Sequence, residues 1–302
     1  MTSVEIFSGG GGAAQGLHAA GVRALARSEW QHDACETLDA AQASGHIDPA
    51  DTLRGDVRAV DWSSYAGRVG LLWASPPCQA WSLAGERAGC DDERNGWPWT
   101  WDVVDALRPQ WLLAENVTGM VMHAADCGPQ CAGCYFRDHV VAQARRRYAS
   151  VQWALLDAAE YGVPQRRVRL YMVAGPRPVQ WPLATHGQPG LFAARVPFTT
   201  VRQALHLPPG PHSVLDQPMP TLSGGSQKSH VNGRSILSAS ASMRARYTQA
   251  GLHSITVQQA RVVMGWAADY PMHGSATSRF RQVANGCCPP VVEALVRAVL
   301  AA

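Results

Sequence analysis

The run Val4-Glu5-Ile6-Phe7, followed by Ser8 and the four glycines Gly9 to Gly12, restricts this chain more than any other stretch. An apolar strand pattern ends in glycines and passes into Ala13-Ala14-Gln15-Gly16-Leu17-His18-Ala19-Ala20-Gly21, a small-residue helix suited to close packing on a sheet. This is the opening half of a nucleotide-binding βαβ unit. There the glycines either let backbone approach a ligand at the helix N-terminus or serve only as a flexible tight turn. A second strand follows from Val22 to Arg27 and ends at Glu29-Trp30, then a helix from about Asp33 to Ala43, and a third strand end at Leu53-Arg54-Gly55-Asp56-Val57. Strands alternating with helices predict an α/β fold built on a parallel sheet. An acid about 20 residues past the glycine turn stands where this fold class binds a ribose hydroxyl pair, which points to Glu29. Trp30 either stacks on an adenine ring or packs in the core, and Asp56 is placed to accept from an adenine amino group. No phosphate-binding lysine accompanies the glycines.

A second constraint is chemical. Val69-Gly70-Leu71-Leu72-Trp73 reads as a buried strand, and Pro76-Pro77 then stop it and fix the backbone just before Cys78-Gln79-Ala80-Trp81-Ser82. A thiol at the rim of a sheet is a strong nucleophile only as thiolate, and it can instead be a small core residue. The knot Trp97-Pro98-Trp99-Thr100-Trp101 precedes a helix expected from Asp102 to Leu107. Trp111-Leu112-Leu113-Ala114-Glu115-Asn116-Val117 is another apolar strand, ending in an acid. In Gln165-Arg166-Arg167-Val168-Arg169, which opens the strand Leu170 to Ala174, alternation puts Arg167 and Arg169 on one face. From Pro176 to roughly Ser254 the chain turns to Pro, Gly, Ser, His and Gln with little periodicity. A helix start capped by Thr256 and a final helix from Val291 to Ala301 close it.

At 302 residues the length fits one catalytic domain with a small lobe, and 46% hydrophobic with 16% charged residues is a globular composition. The net charge of +3 does not by itself point to nucleic acid, although six arginines fall between Arg145 and Arg169. Met1 to Phe7 has no charged leader or apolar signal region, and no membrane span is expected. A cytoplasmic setting follows as an expectation, with thiol chemistry or metal binding rather than disulfides for the eight cysteines.

Taken in order, these stretches resemble the DNA (cytosine-5)-methyltransferase family. Pro-Pro-Cys78-Gln-x-x-Ser, with Ala84-Gly85 and Asp92-Glu93-Arg94-Asn95-Gly96 after it, resembles that family's catalytic loop. Phe7-x-Gly9-x-Gly11-Gly12, Glu29-Trp30 and Asp56-Val57 resemble its methyl-donor half. Glu115-Asn116-Val117, Gln165-x-Arg167-x-Arg169, Pro218-Met219-Pro220-Thr221 and Gln282-Val283-Ala284-Asn285-Gly286 resemble later blocks, with Ala284 where a glycine is usual. The resemblance implies a Rossmann-like S-adenosylmethionine-dependent α/β fold. Residues 1–175 would form the catalytic and cofactor-binding domain, 176–254 a small irregular target-recognition region, and 255–302 a segment returning to the catalytic domain. It also implies roles for single residues. Cys78 attacks C6 of a cytosine flipped out of double-stranded DNA; Glu115 assists at N3; Arg169 holds O2, with Arg167 as its companion. Phe7, Gly9, Gly11, Gly12, Glu29, Trp30, Asp56, Val57, Pro76 and Asn285 line the donor site, and Gln79, Ser82 and Arg94 touch DNA. A monomer is expected, with a cognate restriction endonuclease as a candidate partner.

Cys127, Cys131 and Cys134 fit no block of that family. Their C-x3-C-x2-C spacing with two glycines suits a structural zinc ion, with His123, His139 or Cys90 as fourth ligand, or a metal-free turn. The same spacing binds a four-iron cluster in radical enzymes that use the same methyl donor. Two further functions stay open for the chain as a whole: a DNA-binding regulator on an inactive scaffold, and methyl transfer to RNA.

Overall fold

The computed structural model describes residues 1–77, 94–123, 127, 131–188, 195–222, 230–231, 234–235 and 241–302. Its centre is a sheet of seven strands. In chain order these are β1 (Thr2–Ile6), β2 (Arg23–Glu29), β3 (Asp51–Arg54), β4 (Leu71–Ala74), β5 (Trp111–Val117), β6 (Ser150–Asp157) and, after the two-residue β7 (Gln165–Arg166), β8 (Val168–Gly175). They lie side by side as β3-β2-β1-β4-β5-β8-β6. The first five are mutually parallel, and β8 runs antiparallel between β5 and β6.

Both faces of this sheet are covered, which is why its middle strands read as continuous apolar runs instead of alternating ones. Leu71 and Trp73, Trp111 and Leu113, and Tyr171 and Val173 face one core. Their neighbours Leu72 and Ala74, Leu112 and Ala114, and Leu170, Met172 and Ala174 face the other. One charged pair is enclosed: Arg27 Nε donates to Glu5 Oε1 at 2.8 Å, with both side chains essentially inaccessible, tying β1 to β2.

Helix α1 (Gly12–Ala19) has its small residues because of a neighbour distant in sequence. A Cβ at Gly16 would stand 2.5 Å from Val292 Cβ and 2.6 Å from the Pro289 carbonyl, so α1 lies directly on the C-terminal helix. Helix α2 (His32–Ala43) follows β2 as expected. Helix α3 covers Trp97–Leu107, so the tryptophan knot is its first turn and not a preceding loop. Pro98 is accepted there because the first-turn amides have no partner within the helix. After β5 the chain makes α4 (Ala132–Tyr135), a π-turn over Phe136–Val141, and α5 (Ala142–Arg147).

Between residues 176 and 254 the described elements are short: β9 (His186–Gly187) paired with β10 (Val196–Pro197), α6 (Val201–Ala204), β11 (Met219–Pro220) paired with β7, β12 (His230–Val231), β13 (Arg234–Ser235) and α7 (Ala241–Gln249). Val179, Val201, Leu215, Met219, Leu222, Tyr247 and Leu252 from this stretch are buried in the same core as the C-terminal helices. The final segment begins with β14 (Ile255–Thr256) and α8 (Val257–Val263), where Thr256 caps the helix as expected and Gln259 completes a capping box with it. Then come α9 (Ala276–Asn285) and α10 (Pro289–Ala301). The stretch Ala276–Ala301 is long and apolar enough to cross a membrane, yet 56% of its most apolar part is buried. It is also interrupted between α9 and α10, and Val291, Val292, Leu295, Val296 and Val299 belong to the core.

Candidate active site

The sequence-derived residues that the structure describes gather at the carboxyl ends of the parallel strands, where open α/β sheets place their ligands. At the end of β1, Phe7 has φ 58°, left-handed backbone that a non-glycine residue rarely adopts, and Gly9 and Gly11 follow with φ 53° and 91°. A side chain at Gly11 would run into the Tyr270 hydroxyl, whereas a Cβ at Gly9 would meet nothing within 4 Å. Glu29 closes the adjoining corner. Its carboxylate accepts from the amides of Gly9 at 2.7 Å, Trp30 at 2.9 Å and Gln31 at 2.8 Å, joining the glycine turn to the end of β2. Burial raises its proton affinity against those three donors. Trp30 is 75% exposed and takes no part in the core.

Asp56 caps the turn over Val57–Ala59 and pairs with Arg58, while Val57 is buried. The Arg58 guanidinium lies over the Trp99 ring at 4.5 Å, and Trp99 stands 6.5 Å from the Phe7 ring. The first turn of α3 therefore walls the mouth left by Phe7 and Asp56. Gln282 approaches the glycine turn at Gly10 from the C-terminal side, and a Cβ at Gly12 would lie 2.6 Å from the Cys287 carbonyl. Asn285 itself is exposed at the end of α9.

Beyond β4, Glu115 lies near the carboxyl end of β5 and is buried, as is Asn116 after it. Glu115 Oε1 is 3.3 Å from Arg169 Nε, and both side chains are largely buried. Desolvation pushes the Glu115 carboxyl above its ordinary range, outweighing the opposing pull of Arg169 and Arg167. Burial likewise lowers the Arg169 pKa. Arg167 shares the face expected from alternation, but its guanidinium is occupied otherwise. It donates to the carbonyls of Leu222 at 3.1 Å and Gly286 at 3.0 Å. Arg166, on the opposite side, is exposed and pairs with Asp157 at 2.9 Å.

Cys78, Gln79 and Ser82 lie outside the described residues, as does Cys90; both sides of their loop are described. Asn116 Nδ2 donates to the Pro76 carbonyl at 3.2 Å, so the residue after Glu115 holds the proline pair that leads to Cys78. A Cβ at Gly96 would stand 2.6 Å from Pro77 Cδ and 3.0 Å from Pro76 Cβ, so the returning chain packs on the departing one. Asn95 Nδ2 donates to the Tyr135 hydroxyl at 2.8 Å. Asn116 and Asn95 are both visible in the motifs, but without a role; only the fold shows what each amide reaches. Arg94, at the end of that loop, is described and exposed.

The cysteine triplet lies apart from this centre, and the fold brings His123 to it: the ligand atoms of His123, Cys127, Cys131 and Cys134 all fall within 4.8 Å of one another. His139 instead stacks on Tyr135, ring centres 5.0 Å apart.

Residues 1–192 match the family model described as C-5 cytosine-specific DNA methylase. The Type II methyltransferase M.NgoMIV of Neisseria gonorrhoeae is 29% identical over 322 residues, covering 100% of this chain and 98% of that protein. M.NaeI of Lentzea aerocolonigenes is 28% identical, covering 99% of this chain and 74% of that protein. Among solved structures, the S. pombe Dnmt2 methyltransferase shares the fold with a TM-score of 0.68 at 15% identity, over 100% of this chain and 98% of that one. S-adenosylmethionine is the standard methyl donor of this family. The chain thus belongs to the C-5 cytosine-specific DNA methylases and is a DNA cytosine-5 methyltransferase.

Proposed function

We propose that this enzyme methylates a cytosine flipped out of double-stranded DNA, through a transient covalent bond to Cys78. The observation that carries the reading is the buried Glu115–Arg169 pair at the end of β5, whose next residue, Asn116, grips the prolines that lead to Cys78. An acid with raised proton affinity beside an arginine is suited to a pyrimidine edge. Protonated Glu115 donates to N3 while Arg169 donates to O2, and both contacts strengthen as the ring takes up electron density.

The Cys78 thiolate forms a bond to C6, and the C5=C6 pair moves to C5, which becomes nucleophilic. Bound S-adenosylmethionine supplies an electrophilic methyl group carried on a sulfonium. A base then removes the C5 proton, the C5=C6 bond re-forms, and the Cys78 sulfur leaves C6 with the electron pair of the broken bond. Neither ring carbon is reachable in a stacked duplex, so extrusion of the base precedes chemistry at a cost of a few kcal/mol. Gln79, Ser82 and Arg94 are assigned to the DNA backbone and to the gap left by the flipped base.

The donor fits the corner built by β1 and β2. The open space at Gly9, the Glu29 carboxylate and the exposed face of Trp30 match a ribose and an adenine, with Phe7, Gly11, Gly12, Asp56, Val57, Pro76 and Asn285 around them. Residues 176–254 are assigned to recognition of the target sequence, and the Type II relatives suggest a partner endonuclease acting on the same site.

Duplex DNA carrying 5-fluorocytosine tests the mechanism, because fluorine at C5 cannot leave as a proton. In the presence of donor, the wild type is expected to form a covalent complex resistant to denaturation and Cys78→Ser to form none. An active Cys78→Ser enzyme, or transfer to RNA in preference to DNA, would overturn the reading.

A further inference from the structure

His123, Cys127, Cys131 and Cys134 bring four metal-ligating atoms into one cluster. Three sulfurs converge on the single nitrogen His123 Nδ1: Cys127 Sγ at 3.5 Å, Cys131 Sγ at 3.6 Å and Cys134 Sγ at 3.8 Å. Cys127 and Cys131 are not disulfide-bonded, their sulfurs being 3.7 Å apart. These separations are the edges of a coordination tetrahedron. Zinc with bonds of about 2.3 Å to sulfur and about 2.0 Å to nitrogen sets its ligands roughly 3.8 Å apart for a sulfur pair and roughly 3.5 Å for sulfur and nitrogen. A four-iron cluster requires the reverse, since each cysteine binds a different iron and the sulfurs stand on opposite sides of the cluster. Ligand atoms all within 4.8 Å of one another are close enough to share one ion.

The surroundings prepare this arrangement. A Cβ at Gly133 would meet the Cδ2 and Nε2 of His123 at 2.8 Å, so only glycine leaves room for the ring that turns Nδ1 toward the sulfurs. The Gly133 amide donates to the Met122 carbonyl at 3.0 Å, joining the two sides of the knuckle. Tyr135, the residue after Cys134, is buried, and its hydroxyl accepts from Asn95 at 2.8 Å. Gly96, next to Asn95, packs on Pro76 and Pro77.

We propose that His123, Cys127, Cys131 and Cys134 bind one structural zinc ion, and that this ion, through Tyr135 and Asn95, sets the base of the loop that carries Cys78. The metal site stands on its own geometry; only its effect on the loop rests on the covalent mechanism. Tyr135 and Asn95 are positioning residues, remote from the reacting atoms. Binding draws three thiol protons off and adds a covalent-strength link between residues 118–123, which follow β5, and α4, two segments already joined by the Gly133 amide and the Met122 carbonyl.

The full-length enzyme, purified without added zinc, is expected to contain one zinc per chain, with X-ray absorption at the zinc edge reporting three sulfur ligands and one nitrogen. His123→Cys should keep that zinc and Cys131→Ser should lose it; the absorption measurement on wild type decides the matter even where Cys131→Ser does not fold. Tyr135→Phe should retain zinc and lower kcat about threefold to tenfold with KM for the donor unchanged. Stoichiometric iron, less than a tenth of a zinc per chain, or a shell without sulfur would overturn the site. Wild-type kcat in zinc-loaded Tyr135→Phe would overturn the link to the loop. Metal content is measured without DNA or donor, so a wild type found free of zinc would overturn the site without touching the methyl-transfer reading, and a zinc-loaded enzyme that transfers no methyl group refutes only the mechanism.

Discussion

Glu115 is the residue whose setting decides most. Buried at the end of β5 with Arg169 3.3 Å away, it holds its proton to higher pH than an exposed carboxyl because desolvation outweighs the arginines. A carboxyl that binds its proton more tightly in the folded state makes stability fall as pH rises between its unfolded and folded pKa values. In the proposed mechanism activity runs in the same direction, since there the protonated form donates to N3. We expect kcat to fall on the alkaline side as Glu115 ionises, and Glu115→Gln to lack that limb while lowering kcat by about 10²- to 10⁴-fold. A pH–rate profile of the variant that still shows the limb would remove Glu115 from proton transfer. The motif named this residue; its depth and the arginine on an antiparallel strand belong to the fold.

At the scale of elements, the contact between α1 and α10 is the least expected from local pattern. The small residues of α1 suggest close packing on a sheet, but Gly16 is pressed against Val292 and the Pro289 carbonyl, nearly the whole chain away. Gly16→Ala would raise helix propensity and yet is expected to destabilise by about 1–3 kcal/mol through overpacking. Urea unfolding would show a lower midpoint with an unchanged slope, and a stabilised variant would refute the packing account. The tryptophan knot teaches the converse. Pro98 suggests a break, and in the structure it sits in the first turn of α3, where its missing amide costs nothing.

On the scale of the whole molecule, Arg167 joins three distant stretches, donating to Leu222 before α7 and to Gly286 between α9 and α10 from the strand pair beside the active centre. Hydrogen bonds from a buried charged group are each worth about 1.5–3 kcal/mol, so Arg167→Met should lower the thermal midpoint markedly. Arg166→Met, which loses a half-exposed pair with Asp157 and the stacking of the guanidinium on the Phe198 ring, should cost less than Arg167→Met. Equal losses for the two variants would show that Arg167 does not brace the molecule.

The amino-acid order alone determined the parallel α/β class, the bounds of β5 and the Thr256 cap, because those depend on periodicity, turn residues and short motifs, whereas β6, mostly half-buried, has no apolar run that marks it. The order also placed three cysteines at metal-binding spacing while leaving open which of His123, His139 and Cys90 joins them. Tertiary structure decided what separation along the chain conceals: that His123 meets the thiols, that Glu29 clasps the glycine turn, that Trp30 faces outward, and that Arg167 holds main-chain carbonyls while Arg169 meets Glu115. The physical reason is that a motif specifies which groups a residue can bond, whereas which groups come within 3 or 4 Å follows from the packing of two cores on one sheet.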